Sequence, residues 1–417
     1  MTVTVRQCAI LAGGLGTRLG AITAATPKPI LDVGGRPFLA WLMRSFVRFG
    51  VEEFVLLTGH LSNHVAASVQ AIAAQLPRQV KIRISEEPRR AGTGGAVHYA
   101  RDKLDDRFWL CNGDSLLDCN FSSVLAAAAT DPADVIGRIV LRRLEDASRY
   151  GVVAREGDRI TAFAERAAPG AAGEINGGIY LFDRRLLDFV TADCSLERDV
   201  MPELAARGAL RGMAMGGYFR DIGVPDDLFR ARTELPRMVA RPALFLDRDG
   251  VINVDHGHVG TRERFEWVPG AREAIAHAAG LGWHVFVVTN QAGVARGFYT
   301  EKDVAALHGW MVDEVRAAGG SIDDIRYCPY HPEAPLAEYR RVSDWRKPGS
   351  GMILDLLRAW ELNAGNCLLV GDQMTDLQAA EAAGVRAVQF SGGDLLDFVR
   401  PDLHPFQLVA NSPDGAL

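Results

Sequence analysis

What this chain lacks narrows its class before any motif is read. It has six cysteines in 417 residues, and none of them forms a C-x-x-C pair. A disulfide framework is therefore not expected, and the thiols suit a reducing cytoplasm. No stretch approaches the roughly 18 apolar residues of a membrane span. The opening "MTVTVRQCAILAGG" reaches its glycines too soon for a signal peptide and reads as a first buried strand. Positive charge is not in excess: a net charge of −6 argues against nucleic acid or an anionic membrane as partner. Repeats and low-complexity tracts are missing. What remains is a globular composition, 48% hydrophobic and 24% charged, whose expected partners are small molecules, with self-association left open.

At about 100–200 residues per domain, this length implies two domains. Two starts are visible, each an apolar strand running into a polar loop with glycine: "CAILAGGLG" near residue 10 and "PALFLDRDG" near residue 245. After the first come the strand-like runs "EEFVLLTGH", "VKIRIS", "RFWLCNGDS", "DVIGRIVLRR" and "INGGIYLF", with helical stretches such as "HVAASVQAIAAQL" between them. After the second come "WHVFVVTNQ", "IDDIRYCPY", "NCLLVGDQ" and "VRAVQF", again alternating with helices. The alternation predicts an α/β fold in both halves, with a parallel sheet in the second. Between them, "TELPRMVARP" carries two prolines and no strong periodicity, which puts the boundary near residue 238. One domain is expected over 1–237 and another over 238–417, its core about 241–392.

The first loop, "GGLGTRLG", lacks the Lys-Ser/Thr ending of a P-loop, and its last glycine comes one residue late for a dinucleotide fingerprint. Misplaced glycines would misplace the backbone amides that bind pyrophosphate. Gly13, Gly14 and Gly16 instead let backbone approach a triphosphate and base, while Arg18 and Lys28 supply positive charge for phosphoryl oxygens.

"LAGGLGTRL" followed by "PKPIL" resembles the signature of the sugar-1-phosphate nucleotidyltransferases, over roughly residues 5–235. The resemblance implies a mixed, Rossmann-like sheet and attack of a sugar-phosphate oxygen on the α-phosphorus of a nucleoside triphosphate. Arg18 and Lys28 match the family's charge-stabilising positions, and Leu11, Gly13, Gly14, Gly92 and Thr93 match nucleotide-binding ones. Asp114 in "CNGDSLL" and Asp221 in "YFRDIGVPDDL" match its magnesium site, a duty suited to carboxylates. Glu165 and Asn176 match sugar-hydroxyl contacts, although Asn176 before two glycines is equally turn chemistry. Arg166 follows Glu165 where many relatives have lysine.

In the second half, "FLDRDGVIN" puts Asp247 and Asp249 at a strand tip. A carboxylate there acts as nucleophile only if a cation screens phosphate repulsion and a second acid handles the leaving group's proton. Two solvated acids in a loop would be the plainer reading of the pair alone. Three further segments in order outweigh it: "VVTNQAGVARG" with Thr289 and Asn290, "DWRKPGSGM" with Lys347, and "LLVGDQMTD" with Asp372. Together they resemble the haloacid-dehalogenase phosphatases, and in wording most resemble the D,D-heptose 1,7-bisphosphate phosphatases and their histidinol-phosphatase relatives. The resemblance implies that Asp247 forms an aspartyl-phosphate and that Asp249 is general acid and base. Thr289, Asn290 and Lys347 would bind phosphate, and Asp247, Asp249 and Asp372 would hold Mg²⁺. Arg296 and Arg346 are candidates for gripping the substrate's phosphate.

Those relatives carry a zinc loop with a Cys-x-His pair and a later Cys-x-Cys pair. Here the positions hold Cys328-x-Tyr330 and Ser343-x-Trp345. A phenol, a hydroxyl and an indole cannot replace thiolate or imidazole ligands, and His331 falls one residue late, so no structural zinc is expected. Prolines 329, 332 and 335, with Tyr339 and Trp345, are expected to hold the loop instead.

Both halves handle phosphate, which suggests consecutive steps in nucleotide-sugar synthesis: removal of the C7 phosphate of a heptose 1,7-bisphosphate, then activation of its 1-phosphate. By analogy with GDP-heptose synthesis the nucleotide would be GTP. Another hexose 1-phosphate with CTP, UTP or dTTP, joined to a histidinol-phosphate-like phosphatase, is the enzymatic alternative. A non-catalytic ligand-sensing half is the alternative of another class.

Overall fold

The computed structural model describes residues 5–14, 16–23, 26–59, 61–164 and 168–408. They form two compact units, residues 5–236 and residues 237–407. Among the described residues, no helix is long and apolar enough to cross a membrane.

The first unit contains strands β1 (Gln7–Leu11), β2 (Glu53–Thr58), β3 (Lys81–Glu86), β4 (Arg107–Asn112), β5 (Ser115–Leu117), β6 (Gly137–Leu144), β7 (Val152–Glu156), β8 (Arg159–Ala164), β9 (Gly173–Asp183), β10 (Leu210–Ala214) and β11 (Phe219–Asp221). Nine of them make one sheet in the order β3-β2-β1-β4-β9-β6-β10-β8-β7, and β5 pairs with β11 in a separate ribbon. The sheet is mixed: β1, β2, β3 and β4 run parallel, whereas β9 is antiparallel to both β4 and β6. Strands β1 and β4 are covered on both faces, which is why "CAIL" and "FWLC" read as unbroken apolar runs. Edge strand β3 carries Lys81 and Arg83, charges that discourage further pairing. The core is built around Phe108, Leu110, Tyr180 and Phe182, each fully buried. Such a side chain contributes roughly 1.5–3 kcal/mol by leaving water.

The second unit holds β12 (Ala243–Leu246), β13 (His284–Asn290), β14 (Asp324–Cys328), β15 (Cys367–Gly371) and β16 (Arg386–Gln389), all parallel, in the order β14-β13-β12-β15-β16. In such sheets ligands bind beyond the carboxyl ends of the strands where the order reverses. Here that point lies between β12 and β15. In the first unit the parallel part reverses between β1 and β4. Four of the motifs singled out in the sequence, "GGLGTRLG", "CNGDSLL", "FLDRDGVIN" and "LLVGDQMTD", follow these four strands, whereas "VVTNQAGVARG" follows β13 and Lys347 lies in the loop between β14 and the helix Gly351–Trp360.

Three elements escaped the sequence reading: the β7–β8 hairpin, the short strand β10, and the β5–β11 ribbon. The last two are short, and each is defined by a partner distant in sequence.

Candidate active sites

In the first unit, Leu11 ends β1 in register with Asn112 at the end of β4, and Gly113 N donates to the Leu11 carbonyl at 2.9 Å. The glycine loop and the "CNGDS" loop are thereby fixed side by side. Leu11, Gly13, Gly14, Gly92 and Thr93 all line one cleft of about 330 Å³, with Lys28 and Asp114 in its wall. Gly92 stands at φ +77°, and a Cβ there would lie 2.5 Å from the Cys194 carbonyl oxygen. That carbonyl accepts from the amides of Gly94 and Gly95, so Gly94 braces the loop. Thr93 Oγ1 donates to Glu197 Oε2 at 2.6 Å.

Lys28 Nζ is 3.0 Å from Asp114 Oδ2. Asp221 reaches the same place through the ribbon: it pairs with Ser115, and Ile222 N donates to the Asp114 carbonyl at 2.9 Å. Burial raises the Asp221 carboxyl, and the charge of Asp114 raises it further, against the amide of Gly223 and the cations Arg18 and Lys28. Two carboxylates that crowd each other in this way fit a hard divalent cation. Asn176 lies on β9, and its amide makes internal contacts, Nδ2 donating to the Tyr180 hydroxyl and Oδ1 accepting from the Gly178 amide, both at 2.9 Å. Glu165 and Arg166 lie outside the described residues. Glu87, Asn112 and Glu197 also line the cleft and were not singled out in the sequence. No motif marks Glu197, which arrives from a distant turn at 196–200.

In the second unit, Asp247 follows β12, and its amide donates to the Val370 carbonyl of β15 at 3.0 Å. This bond brings the "LDRDG" tip beside the "VGDQ" tip. Gly250, at φ +90°, lets the chain pass Asp372, whose Oδ2 would lie 2.4 Å from a Cβ there. Lys347 Nζ sits 2.9 Å from Asp247 Oδ1 and 2.6 Å from Asp376 Oδ1. Asn290 clamps the lysine's backbone, its Oδ1 accepting from Lys347 N at 3.0 Å and its Nδ2 donating to Lys347 O at 3.1 Å. Thr289 is buried, and its hydroxyl accepts from Gln291 Nε2 at 2.9 Å.

Asp247, Asp372 and Asp376 offer oxygens that all lie within 4.8 Å of one another. Among the described residues, Asp372 Oδ1 is buried without a hydrogen-bond partner. When all three are ionised, three carboxylates against one ammonium leave an excess of two negative charges. Burial pushes Asp247 up to about 7, with Lys347 pulling down and Asp376 adding to the rise. Burial alone would lower Lys347, but Asp247 and Asp376 outweigh it and the ammonium is raised. Orphaned oxygen, charge excess and all-oxygen donors fit a divalent hard cation.

The cluster differs from the expected metal set in one member. Asp376, not Asp249, stands third; it lies in the first turn of the helix Met374–Ala382, and the second acid of "GDQMTD" is the signal that would have found it. Asp249's carboxylate is engaged elsewhere, accepting from Gln291 Nε2 at 2.9 Å and Asn253 Nδ2 at 3.0 Å. Arg296 and Arg346 are brought together: burial and then Arg346 and Arg296 lower His331, and among the described residues Arg346 Nη1 is buried without a hydrogen-bond partner.

At the loop with the altered zinc positions, the Arg341 guanidinium lies 3.5 Å from the Tyr330 ring centroid. The Tyr339 and Tyr327 hydroxyls donate to Glu301 at 3.1 and 2.6 Å. His331 Nδ1 accepts the Glu333 amide at 3.1 Å, a local turn contact. Aromatic and charged contacts thus tie together the segment around Cys328 and Ser343.

Comparison with known proteins gives a family for each unit. The nucleotidyl transferase family model matches residues 8–237, and a HAD-hydrolase-like model matches residues 344–397. The D-glycero-β-D-manno-heptose-1,7-bisphosphate 7-phosphatase of Rhodopseudomonas palustris is 49% identical over 172 residues, covering 41% of this chain and 96% of that protein. The D-glycero-α-D-manno-heptose-1,7-bisphosphate 7-phosphatase of Burkholderia mallei is 46% identical over 143 residues, 34% of this chain and 76% of that protein. The crystal structure of HddC from Yersinia pseudotuberculosis complexed with GMP-PN is 28% identical, covers 55% of this chain and 99% of its own, and superposes with a TM-score of 0.49.

Proposed function

The chain belongs to the nucleotidyl transferase family through its first unit and to the heptose-1,7-bisphosphate 7-phosphatases through its second, and from that membership we propose two consecutive reactions on one sugar. The second unit removes the C7 phosphate of a D-glycero-D-manno-heptose 1,7-bisphosphate. The first transfers a nucleotidyl group, GMP from GTP, to the remaining 1-phosphate and releases pyrophosphate. The observation that carries the reading is the pairing, in one chain, of the Lys28–Asp114 cleft with the Lys347–Asp247 cluster. The free thiols support a reducing cytoplasmic setting.

In the phosphatase step an Asp247 oxygen attacks phosphorus, and the bond from phosphorus to the C7 oxygen breaks as that oxygen takes a proton from Asp249. Water then attacks the aspartyl-phosphate and gives a proton to Asp249, and the Asp247–phosphorus bond breaks to free phosphate. Lys347 holds the nucleophile in place and neutralises phosphoryl oxygens, while Arg296 and Arg346 grip the substrate's other phosphate. In the transferase step a 1-phosphate oxygen attacks the α-phosphorus and pyrophosphate leaves, with Arg18 and Lys28 countering the charge. Mg²⁺, held by Asp247, Asp372 and Asp376 in one unit and by Asp114 and Asp221 in the other, supplies further positive charge to the phosphoryl oxygens when bound.

The test incubates the full chain and Mg²⁺ with heptose 1,7-bisphosphate and each nucleoside triphosphate in turn, following phosphate and pyrophosphate. Phosphate should appear with any of them, and pyrophosphate should follow with GTP. Pyrophosphate release preceding phosphate release, or loss of the anomeric phosphate, would sink the order proposed.

A further inference from the structure

Asp249 is held by buried groups that these two reactions leave unassigned. Arg248, with no exposed surface, folds back over its neighbour: Nη2 reaches Asp249 Oδ1 at 3.0 Å and Oδ2 at 2.9 Å. The same nitrogen meets the Val259 carbonyl and, at 3.1 Å, Gln291 Oε1. Nη1 lies 3.2 Å from Nε2 of His308, a buried residue of the helix Glu301–Ala317. Burial, with Arg248's charge beside it, lowers His308 to about 3. The imidazole is therefore neutral and can accept from Arg248 through Nε2. On the other side, Gln291 Nε2 donates to Asp249 Oδ2 at 2.9 Å, while its Oε1 also accepts from the Tyr299 hydroxyl at 2.8 Å.

A guanidinium is costly to bury, and apolar packing of the same volume is often as stable or more so. Arg248 nevertheless sits beside the nucleophile with most of its donors turned to Asp249 and the groups around it. We propose that Arg248, backed by His308, is a positioning residue for the phosphatase step: it fixes the carboxylate that hands a proton to the C7 oxygen. The proposal rests on the reading of Asp249 as general acid given above.

The experiment measures kcat/KM of the full chain with Mg²⁺, which reports the first phosphoryl transfer, on two substrates. The sugar 7-phosphate has an alkoxide leaving group that needs the proton, whereas p-nitrophenyl phosphate releases a phenolate that does not. Arg248→Met should lower the value for the sugar phosphate by about 100-fold, the scale of a misplaced catalytic group, and change the aryl phosphate little. His308→Phe keeps the ring's bulk and removes the acceptor, and should show the same selectivity at smaller size. In an Asp249→Asn background, Arg248→Met should add nothing on the sugar phosphate. If Asp249→Asn itself affects both substrates equally, the acid/base reading falls. If it is selective while Arg248→Met and His308→Phe are not, including through equal loss on both substrates, the positioning role is overturned.

Discussion

The main-chain amide of Ile222 donates to the carbonyl of Asp114 across 2.9 Å. This bond aligns the β5–β11 ribbon and sets Asp221 beside the acid of a loop far away in sequence. Asp114→Asn keeps the side chain's shape but removes the charge facing Lys28 and the cation. Pyrophosphate release should fall by about 100-fold or more at limiting Mg²⁺, with phosphate release from the bisphosphate unchanged. Near wild-type release by this variant would show that Asp114 does not hold the cation.

Asp247→Asn removes the nucleophile, since an amide cannot form an aspartyl-phosphate. With heptose 1,7-bisphosphate and GTP the variant should give neither phosphate nor nucleotide-sugar. Supplied with heptose 1-phosphate, it should make nucleotide-sugar at the wild-type rate. Phosphate release surviving the substitution would remove Asp247 from its role.

The loop around Cys328 is expected to hold no stoichiometric zinc. Elemental analysis of protein prepared in metal-free buffer decides the point. A value near one zinc per chain would mean that His331 and a carboxylate complete a site despite Tyr330 and Ser343. The contacts that tie the loop together give a second measurement: Arg341→Ala removes the cation over Tyr330 and should loosen the loop to proteolysis, at a cost of roughly 0.5–1 kcal/mol.

The raised Asp247 carboxyl sets how Mg²⁺ and pH combine. Unfolded, this group ionises near 4; folded and metal-free, it holds its proton up to about 7. Its contribution to stability is therefore fully present below the unfolded value and lost as pH rises through 7. A divalent cation takes over the proton's place. Mg²⁺ should raise the melting temperature of the second unit markedly at about pH 8 and hardly at about pH 5. Equal shifts at the two pH values, followed by calorimetry, would contradict this, and Asp247→Asn should flatten the difference.

Much of both sites is legible in the sequence because four motifs follow the four strands at the switch points, where an apolar run gives way to a polar loop. Asp114, Asp247 and Asp372 can be found that way, while Lys28 and Lys347 lie in longer connections and were available through the wording of their motifs. Sequence order gives no register, so the contact between Asp221 and Asp114, which depends on the pairing of two short strands, was available only through resemblance. Asn176 shows another limit: its residue type suits a sugar contact, and its contacts with Tyr180 and Gly178 come from partners that the fold alone brings to it. Asp376 closes the same "GDQMTD" segment, but its approach to Lys347 depends on where the helix Met374–Ala382 begins, which residue type alone does not give. Arg248 sits inside the very motif that was read, yet only its zero exposure and its partner His308 distinguish it from a solvated arginine.

Strand β12 is the first of its sheet in the chain and lies at the sheet's centre, between β13 and β15. As the chain leaves the ribosome, the β15 side of "ALFL" has no partner until Cys367–Gly371 has been made. An apolar strand with an open edge can pair with other chains, so the nascent phosphatase half passes through a sticky interval. Every strand of the transferase half precedes Ala243, and its sheet can close while the rest is still being translated. Slowing translation before residue 367 should therefore reduce the yield of phosphatase activity more than that of nucleotidyl transfer.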